Sequence, residues 1–184
     1  MEQNISVIAI DPGYDRVGVA VFTETKELAH SECITPSSTV FTERLFEIKR
    51  RIQELIHEFA PSALALETLF FSTNRKTAIK VAEARGVIVL AAAELSLPVY
   101  EYSPQEVKIA VTGNGAADKT SVTKMVERLV ELGDTKRLDD ELDAIALGMA
   151  HQAGFRLSPN YPHRQDRGLA KTSNFDKNSA SQEN

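Results

Sequence analysis

The sequence predicts an α/β fold, because segments with the periodicity of strands alternate with segments that have the periodicity of helices. Three apolar segments rich in β-branched residues come first and predict an antiparallel meander. Helices and short apolar strands then follow one another. At 184 residues, of which 42% are apolar, the chain is long enough for one domain, or for one domain with a tail.

Each predicted strand is a short apolar run bounded by turn residues. The first run is followed by Asp-Pro-Gly, and a polar hairpin at residues 24–26 separates the second from the third. Pro61 ends the first long helix before the fourth strand begins. The predicted strands are residues 5–10, 16–22, 27–34, 63–66 and 98–102.

The first long predicted helix shows the apolar spacing that marks a buried face. Leu45, Ile48 and Ile52 recur there every three or four residues. The second helix is apolar on every side over its second half, so we expect both the sheet and a second subunit to cover it. The predicted helices are residues 39–59, 77–95, 104–111, 118–132 and 138–152.

Composition excludes several classes of protein. The single cysteine, Cys33, excludes an internal disulfide framework and a cysteine-rich zinc site. The longest apolar run, residues 86–93, is far shorter than the roughly 20 residues that cross a bilayer. Because the N-terminus lacks the basic segment of a secretory signal, we expect a cytoplasmic protein with no membrane partner.

The net charge of −5 is unevenly distributed along the chain. Residues 1–154 hold 16 Lys and Arg against 23 Asp and Glu, whereas residues 155–184 hold 5 against 3. The acidic first part argues against a generally basic mode of nucleic-acid binding, but it allows an enzyme whose acids surround metal ions. Few large apolar side chains follow residue 155, so we expect a domain at 1–154 and a disordered tail at 155–184.

Carboxylates stand at the ends of several predicted elements. Asp11 and Glu67 each end a strand, and ligands of α/β proteins bind at that edge of the sheet, but the two acids meet only if their strands are neighbours. At the start of the last helix Asp140 and Asp143 share a face. Asp139 and Asp143 share one almost as well, so the spacing does not choose between them. Acids drawn from distant segments suit hard cations such as Mg²⁺.

Each of these acids also has a purely structural interpretation. Asp11 can close the Asp-Pro-Gly turn, and residues 139–141 can cap the last helix and complement its dipole. Asp143 is harder to explain in this way, because it lies among apolar residues of a helix that looks buried, where a charge needs a partner.

The loop before the second long helix combines aromatic and basic residues. Phe70 is either a hydrophobic plug or a ring that wedges into DNA, next to phosphate contacts from Arg75 and Lys76. Lys80 and Arg85 extend the positive character along the helix.

Seven short motifs follow one another along residues 5–154. They are Ala-Ile-Asp-Pro-Gly (9–13), Glu-Thr-Leu-Phe-Phe (67–71), Ala-Arg-Gly-Val (84–87), Pro-Val-Tyr-Glu-Tyr (98–102), Gln-Glu-Val-Lys (105–108), Thr-Gly-Asn-Gly-Ala-Ala-Asp-Lys (112–119) and Asp-Glu-Leu-Asp-Ala-Ile-Ala-Leu (140–147). In their order and spacing these motifs resemble those of the RuvC-type Holliday junction resolvases, which have a ribonuclease H-like fold. The resemblance implies a mixed five-stranded sheet flanked by helices.

The resemblance implies a homodimeric endodeoxyribonuclease of recombination and repair that cuts opposite strands of a four-way DNA junction, leaving 5′-phosphate and 3′-hydroxyl ends. It implies two Mg²⁺ ions per active site, with Mn²⁺ as a substitute, and a branch-migration helicase complex as a further candidate partner. The metal ligands would be Asp11, Glu67, Asp140 and Asp143, and the DNA contacts Phe70, Lys108 and Lys119, beside Arg75 and Lys76.

Other functions stay open from the sequence. Residues 14–20 are more similar to YqgF-type relatives, which suggests structured RNA as an alternative substrate. A catalytically idle junction-binding module would not need the four acids. An actin-like ATPase also begins with an Asp-x-Gly strand turn, but about 150 residues are too few for its two lobes.

Overall fold

The computed structural model describes residues 5–68, 75–133 and 136–154. Phe70 and residues 155–184 lie outside these ranges, so the wedge role of Phe70 and the disordered tail stay predictions. The strands are β1 (Ile5–Asp11), β2 (Val17–Thr23), β3 (Leu28–Ile34), β4 (Leu64–Glu67) and β5 (Val99–Tyr102). The helices are α1 (Phe41–Phe59), α2 (Arg75–Glu94), α3 (Pro104–Thr112), α4 (Lys119–Leu129) and α5 (Asp139–Gln152).

The strands form one mixed sheet in the order β3-β2-β1-β4-β5. Strands β1, β2 and β3 make the predicted antiparallel meander, whereas β4 pairs in parallel with β1 and β5 in parallel with β4. The predicted five-stranded mixed sheet with flanking helices is therefore confirmed. The central position of β1 brings its carboxyl end between β2 and β4.

The two faces of the sheet carry separate hydrophobic cores. Because successive strand residues face opposite sides, Ile8 and Ile10 of β1 pack with α1 and α2, whereas Val7 and Ala9 pack with α3, α4 and α5. Both faces are covered, which explains why β1 and β4 read as continuous apolar runs.

Helix α2 is less covered within the chain than its composition suggests. Ile79 and Leu90 are 57% and 51% exposed, although Ala84 and Ile88 are fully buried against the first core. No helix in the described ranges is long and apolar enough to span a membrane.

Helix α5 lies close to the sheet because glycines leave room for it. A Cβ atom at Gly18 of β2 would overlap the carbonyl oxygen of Asp140, and one at Gly148 of α5 would overlap the ring of Phe22. The contact at Gly18 holds the start of α5 against β2, and the contact at Gly148 holds the C-terminal half of α5 against the same strand.

Three helix boundaries differ from the sequence prediction by two or more residues, and the first is the start of α1, which lies at Phe41 rather than at residue 39. Helix α2 begins at Arg75, before the predicted residue 77. Helix α4 ends at Leu129 rather than at residue 132, because Val130 has extended backbone angles, φ −117° and ψ 133°. Apolar spacing alone does not show such a change in backbone conformation.

Glu32 ties the edge strand β3 to α1. Its carboxylate accepts hydrogen bonds from the Arg51 guanidinium at 2.8 and 2.7 Å and lies 3.0 Å from Nε2 of His30. Partial burial opposes ionisation, but the hydrogen bonds and charges of Arg51 and His30 prevail and lower the pKa of Glu32 to about 2. The ionised form of Glu32 therefore stabilises the fold.

We expect Glu32→Gln to lower the free energy of unfolding by about 1 to 2 kcal/mol at neutral pH. The folded-state pKa of about 2 lies below the ordinary 4.5, so the stabilisation is complete above the ordinary value and disappears as the pH falls toward the folded one. Urea unfolding of both proteins across this pH range measures the difference. A difference that does not change with pH would contradict the ion pair as its cause.

Candidate active site

Asp11 and Glu67 lie side by side at the carboxyl ends of β1 and β4. The two strands are paired in parallel with Ile10 opposite Leu66, so the residues that follow meet at the same edge of the sheet. From the sequence, the two acids would meet only if their strands were neighbours. The sheet order makes them neighbours.

The carboxyl groups of this pair perturb each other. Burial, followed by the charges of Glu67, Asp143 and Asp140, raises the pKa of Asp11 to about 8. The pKa of Glu67 is also raised, first by burial and then by Asp143, against the hydrogen bond that it shares with Asp11. At neutral pH the pair therefore keeps a proton that a bound divalent cation would displace.

Helix α5 brings further acids to this edge. The side chain of Asp140 is 23% exposed and that of Asp143 is 37% exposed, whereas that of Asp139 is 75% exposed. The charges of Asp140 and Asp143 both act on Asp11. The structure thus favours Asp140 over Asp139. The residues that follow Asp143 are buried, as expected, and its charge has a partner in Lys119, 2.9 Å away.

The start of α5 is not capped by its acids. The N-cap residue is Leu138, without a side-chain cap, so the interpretation of residues 139–141 as an N-cap is wrong, whereas their expected place in the first turn, where acids complement the helix dipole, is confirmed. Instead, Glu141 accepts a hydrogen bond from the hydroxyl of Ser31 at 2.6 Å and pairs with Arg137 at 3.0 Å. This contact anchors the first turn of α5 to β3.

Two lysines reach the same region from α3 and α4. Asp118 caps α4 through its side chain, which makes Lys119 the first residue of that helix. The Nζ atom of Lys119 donates a hydrogen bond to Asp143 at 2.9 Å and lies 3.5 Å from Asp139. Partial burial opposes the charge of Lys119, but Asp143 and Asp139 raise its pKa, so it stays a cation.

A cleft of about 180 Å³ collects these groups. Its acidic end is formed by the pair on β1 and β4 together with α5, and its basic side by α3 and α4. An anionic ligand in the cleft would find lysines beside the acids. The lining includes Asp11, Glu67, Asp143, Lys108 and Lys119, with Val107, Val122 and Leu147 as apolar wall.

The carboxylates fit a divalent cation by their chemistry, although they are not drawn together around one point. Among the described residues, no group of three or more acidic, histidine or cysteine side chains forms a ready-made metal site. Two of the acids instead form ion pairs with basic side chains. Lys119 contacts Asp143, and Nε of Arg16 lies 2.9 Å from Oδ2 of Asp140. That buried oxygen accepts no hydrogen bond, because Arg16 approaches it off the hydrogen-bond direction. A buried, incompletely satisfied carboxylate beside a protonated pair is what a hard cation would stabilise.

The structure tests only some of the basic residues that were predicted to contact DNA on α2 and in the loop before it. Arg85 does not extend a DNA-binding surface, since it is 15% exposed and forms an ion pair with Glu101. Its Nε also donates to the carbonyl oxygen of Glu67 at 3.4 Å, so it supports the end of β4. The side chains of Arg75 and Lys76 lie outside the described part of the structure.

Sequence reasoning missed Arg16 and Gly18 as parts of the site. A signal was present, because the turn after Asp11 is short and its return strand must pair with β1. The register places Gly18 directly opposite Asp11. Residues just before Gly18 therefore had to lie close to the predicted carboxylates.

Fold and site together define a class of protein. Carboxylates on two adjacent strand ends and on a packed helix suit metal-assisted hydrolysis, and the neighbouring lysines suit phosphate. On a mixed sheet of this order, the arrangement is that of a ribonuclease H-like nuclease.

Comparisons with known proteins identify the family within this class. The family model described as "Crossover junction endodeoxyribonuclease RuvC" matches residues 7–151. The chain is 39% identical over 158 residues to the crossover junction endodeoxyribonuclease RuvC of Syntrophomonas wolfei, covering 84% of this chain and 92% of that protein. It is 41% identical over 147 residues to the protein of the same name from Thermosipho melanesiensis, covering 78% and 94%.

Solved structures agree with these matches. The T. thermophilus RuvC in complex with Holliday junction substrate is 34% identical, with a TM-score of 0.72 over 80% of this chain and 92% of that one. The yeast mitochondrial Holliday junction resolvase Ydc2, at 12% identity and a TM-score of 0.61, shares the fold. The chain belongs to the RuvC family of crossover junction endodeoxyribonucleases.

Proposed function

We propose that this protein resolves four-way DNA junctions by metal-dependent hydrolysis of one phosphodiester in each of two opposite strands. The observation that carries the proposal is the cleft in which Asp11, Glu67 and Asp143 face Lys108 and Lys119. Its acids offer oxygen ligands, and its lysines offer phosphate contacts. The T. thermophilus relative was solved with a Holliday junction, which supports the same substrate here.

Asp11, Glu67, Asp140 and Asp143 would hold two Mg²⁺ ions, or Mn²⁺ in their place. When bound, such ions would supply activation of a water nucleophile and charge stabilisation of the leaving oxygen, and the expected products carry 5′-phosphate and 3′-hydroxyl ends. The chain's own contribution is to hold these carboxylates on rigid strand ends and on a helix anchored to β3. Lys108 and Lys119 would orient the scissile phosphate over the acids.

A homodimer would place two such clefts on opposite strands of a twofold substrate. The exposed Ile79 and Leu90 of α2 support this arrangement, because a second subunit would cover apolar side chains that are more than half exposed in the single chain. A branch-migration helicase complex remains a candidate partner on the resemblance alone.

We expect purified protein with Mg²⁺ to cut a synthetic four-way junction symmetrically and to leave a linear duplex of the same sequence and a structured RNA uncut. Single-turnover cleavage with end-labelled strands measures the rate for each substrate, and EDTA should abolish it. Nick ligation of the products checks the predicted ends.

Two results would contradict the proposal. Faster cutting of the structured RNA would indicate the YqgF-like alternative. Tight junction binding without cleavage in Mg²⁺ or Mn²⁺ would indicate an idle binding module.

A further inference from the structure

Arg16 lies at the edge of the candidate active site, and the proposed catalytic step does not use it. It is the residue before β2, and its Nε is 2.9 Å from Oδ2 of Asp140. The side chain of Arg16 is 46% exposed, whereas that of Asp140 is 23% exposed. The Arg16 side chain is therefore the more exposed member of the pair.

The backbone around this pair is held in place from the strand side. Gly18 is opposite Asp11 in the β1–β2 register and directly contacts the backbone of Asp140. Gly18 therefore lies against the start of α5 through its backbone, and Arg16 reaches the same turn of the helix through its ion pair with Asp140. Packing against Gly18 therefore holds the backbone of Asp140, whereas Arg16 contacts its side chain.

The turn that carries Arg16 is held independently. The Arg44 guanidinium of α1 donates to the carbonyl oxygens of Tyr14 and Asp15 at 3.0 and 3.3 Å, and its charge lies 4.8 Å from the centre of the Tyr14 ring. These contacts hold the backbone on the N-terminal side of Arg16. The Arg16 side chain can therefore change partner without rearrangement of the fold.

We propose that Arg16 is a positioning residue that occupies Asp140 in the DNA-free protein and exchanges it for a DNA phosphate when the junction binds. Asp140 would then become available to a divalent cation, so that DNA binding and metal loading promote each other. The inference rests on the proposed function and adds to it a residue that couples substrate to metal.

The energetics of the pair allow such an exchange. The pair is only partly buried, since the Arg16 side chain is 46% exposed, and ion pairs of this kind contribute modestly to stability, so this one can be replaced. A divalent cation attracts a carboxylate more strongly than a singly charged guanidinium at the same distance. The planar fork of arginine matches phosphate oxygens at least as well as carboxylate oxygens, which gives the displaced side chain a new partner.

Thermodynamic linkage predicts the direction in which Arg16 changes metal binding and DNA binding. If Arg16 competes with the cation for Asp140, it weakens metal binding in the absence of DNA. If the same guanidinium then contacts phosphate, it strengthens DNA binding once metal is present. A residue that only stabilised the fold would not produce these opposite effects.

The test is calorimetric titration of Mn²⁺ into the DNA-free protein. We expect Arg16→Gln to tighten Mn²⁺ binding by about three- to fivefold, the range given by loss of one partly exposed ion pair. Arg16→Lys should lie between this variant and the wild type. Arg50→Gln removes the same charge from an exposed site on α1, where Arg50 is 65% exposed and pairs with Glu54, and should leave the affinity unchanged.

Cleavage provides the second readout. Arg16→Gln should need less Mg²⁺ for half-maximal single-turnover cleavage of the junction and should have a lower maximal rate. Unchanged or weaker Mn²⁺ binding in an Arg16→Gln protein with a wild-type melting temperature would overturn the exchange, whatever the cleavage rate. If instead the wild type cuts no junction, the proposed function fails, and the Mn²⁺ titration still decides whether Arg16 competes for Asp140.

Discussion

Asp11→Asn should abolish junction cleavage and leave junction binding nearly intact. Removing a metal ligand should cost more than the roughly 10- to 100-fold that is typical for groups that only orient ligands. The lysines of the cleft stay in place, so phosphate contacts persist. Single-turnover cleavage in Mg²⁺ and equilibrium junction binding measure the two effects separately.

The same substitution should change the pH dependence of stability in the metal-free protein. The folded-state pKa of Asp11, about 8, lies above the ordinary 3.8, so protonated Asp11 favours the fold at low pH and this contribution is lost as the pH rises toward 8. Asp11→Asn cannot ionise at this position, so it does not lose stability in this way. The difference in melting temperature between Asp11→Asn and the wild type should therefore increase in favour of the variant as the pH rises from about 4 to about 8.

Asp139→Asn is the matched control for Asp11→Asn. Asp139 neighbours Asp140 but is 75% exposed and touches only the edge of the site through Lys119. We expect near-normal cleavage from it, whereas Asp140→Asn should be inactive. Equal loss in Asp139→Asn and Asp140→Asn would show that the first turn of α5 is assigned wrongly.

Gly18→Ala should lose both stability and activity. The added methyl group would overlap the carbonyl oxygen of Asp140, a backbone atom that cannot rotate away, so β2 and the start of α5 must separate. Overpacking of this kind costs about 1–3 kcal/mol. The shift moves Asp140 and Asp143 relative to Asp11, and displacement of about 1 Å can cost roughly 100-fold in rate.

Gly148→Ala separates these two effects. It adds the same methyl group at the interface between α5 and β2, but from the helix side, and its overlap is with the buried ring of Phe22. We expect a comparable fall in melting temperature and nearly normal cleavage per folded molecule. Normal cleavage by folded Gly18→Ala would contradict the positioning role of Gly18.

Much of the fold could be predicted from the sequence, because apolar periodicity reports local structure directly. The five strands and the start of α3 fall within one or two residues of the predicted bounds. The sheet order could not be derived in this way, because the pairing of β1 with β4 joins segments that lie more than fifty residues apart. The meeting of Asp11 and Glu67 depends on that pairing.

Three of the four predicted acids and two of the predicted lysines line one cleft, but the arginine ion pairs around them could not be predicted from the sequence. Spacing alone could not choose between Asp139 and Asp140, since both share a face with Asp143. In the folded chain α5 packs on Gly18 at Asp140, and the side chain of Asp140 is 23% exposed whereas that of Asp139 is 75% exposed. Arg85 reads as one more basic residue in the sequence, yet its pairing with Glu101 across α2 and β5 takes it out of the DNA-binding surface. Long-range ion pairs leave no local pattern.

The most direct test of the proposed active site is a crystal of the protein soaked in Mn²⁺, with anomalous scattering used to locate the ions. We predict Mn²⁺ bound to carboxylate oxygens of Asp11 and Glu67 together with Asp140 and Asp143 of α5. The Arg16 side chain should have left Asp140. Ions found only on surface acids such as Asp118 and Asp139, or none at the edge shared by β1 and β4, would contradict the assignment of the four carboxylates to one metal-dependent site.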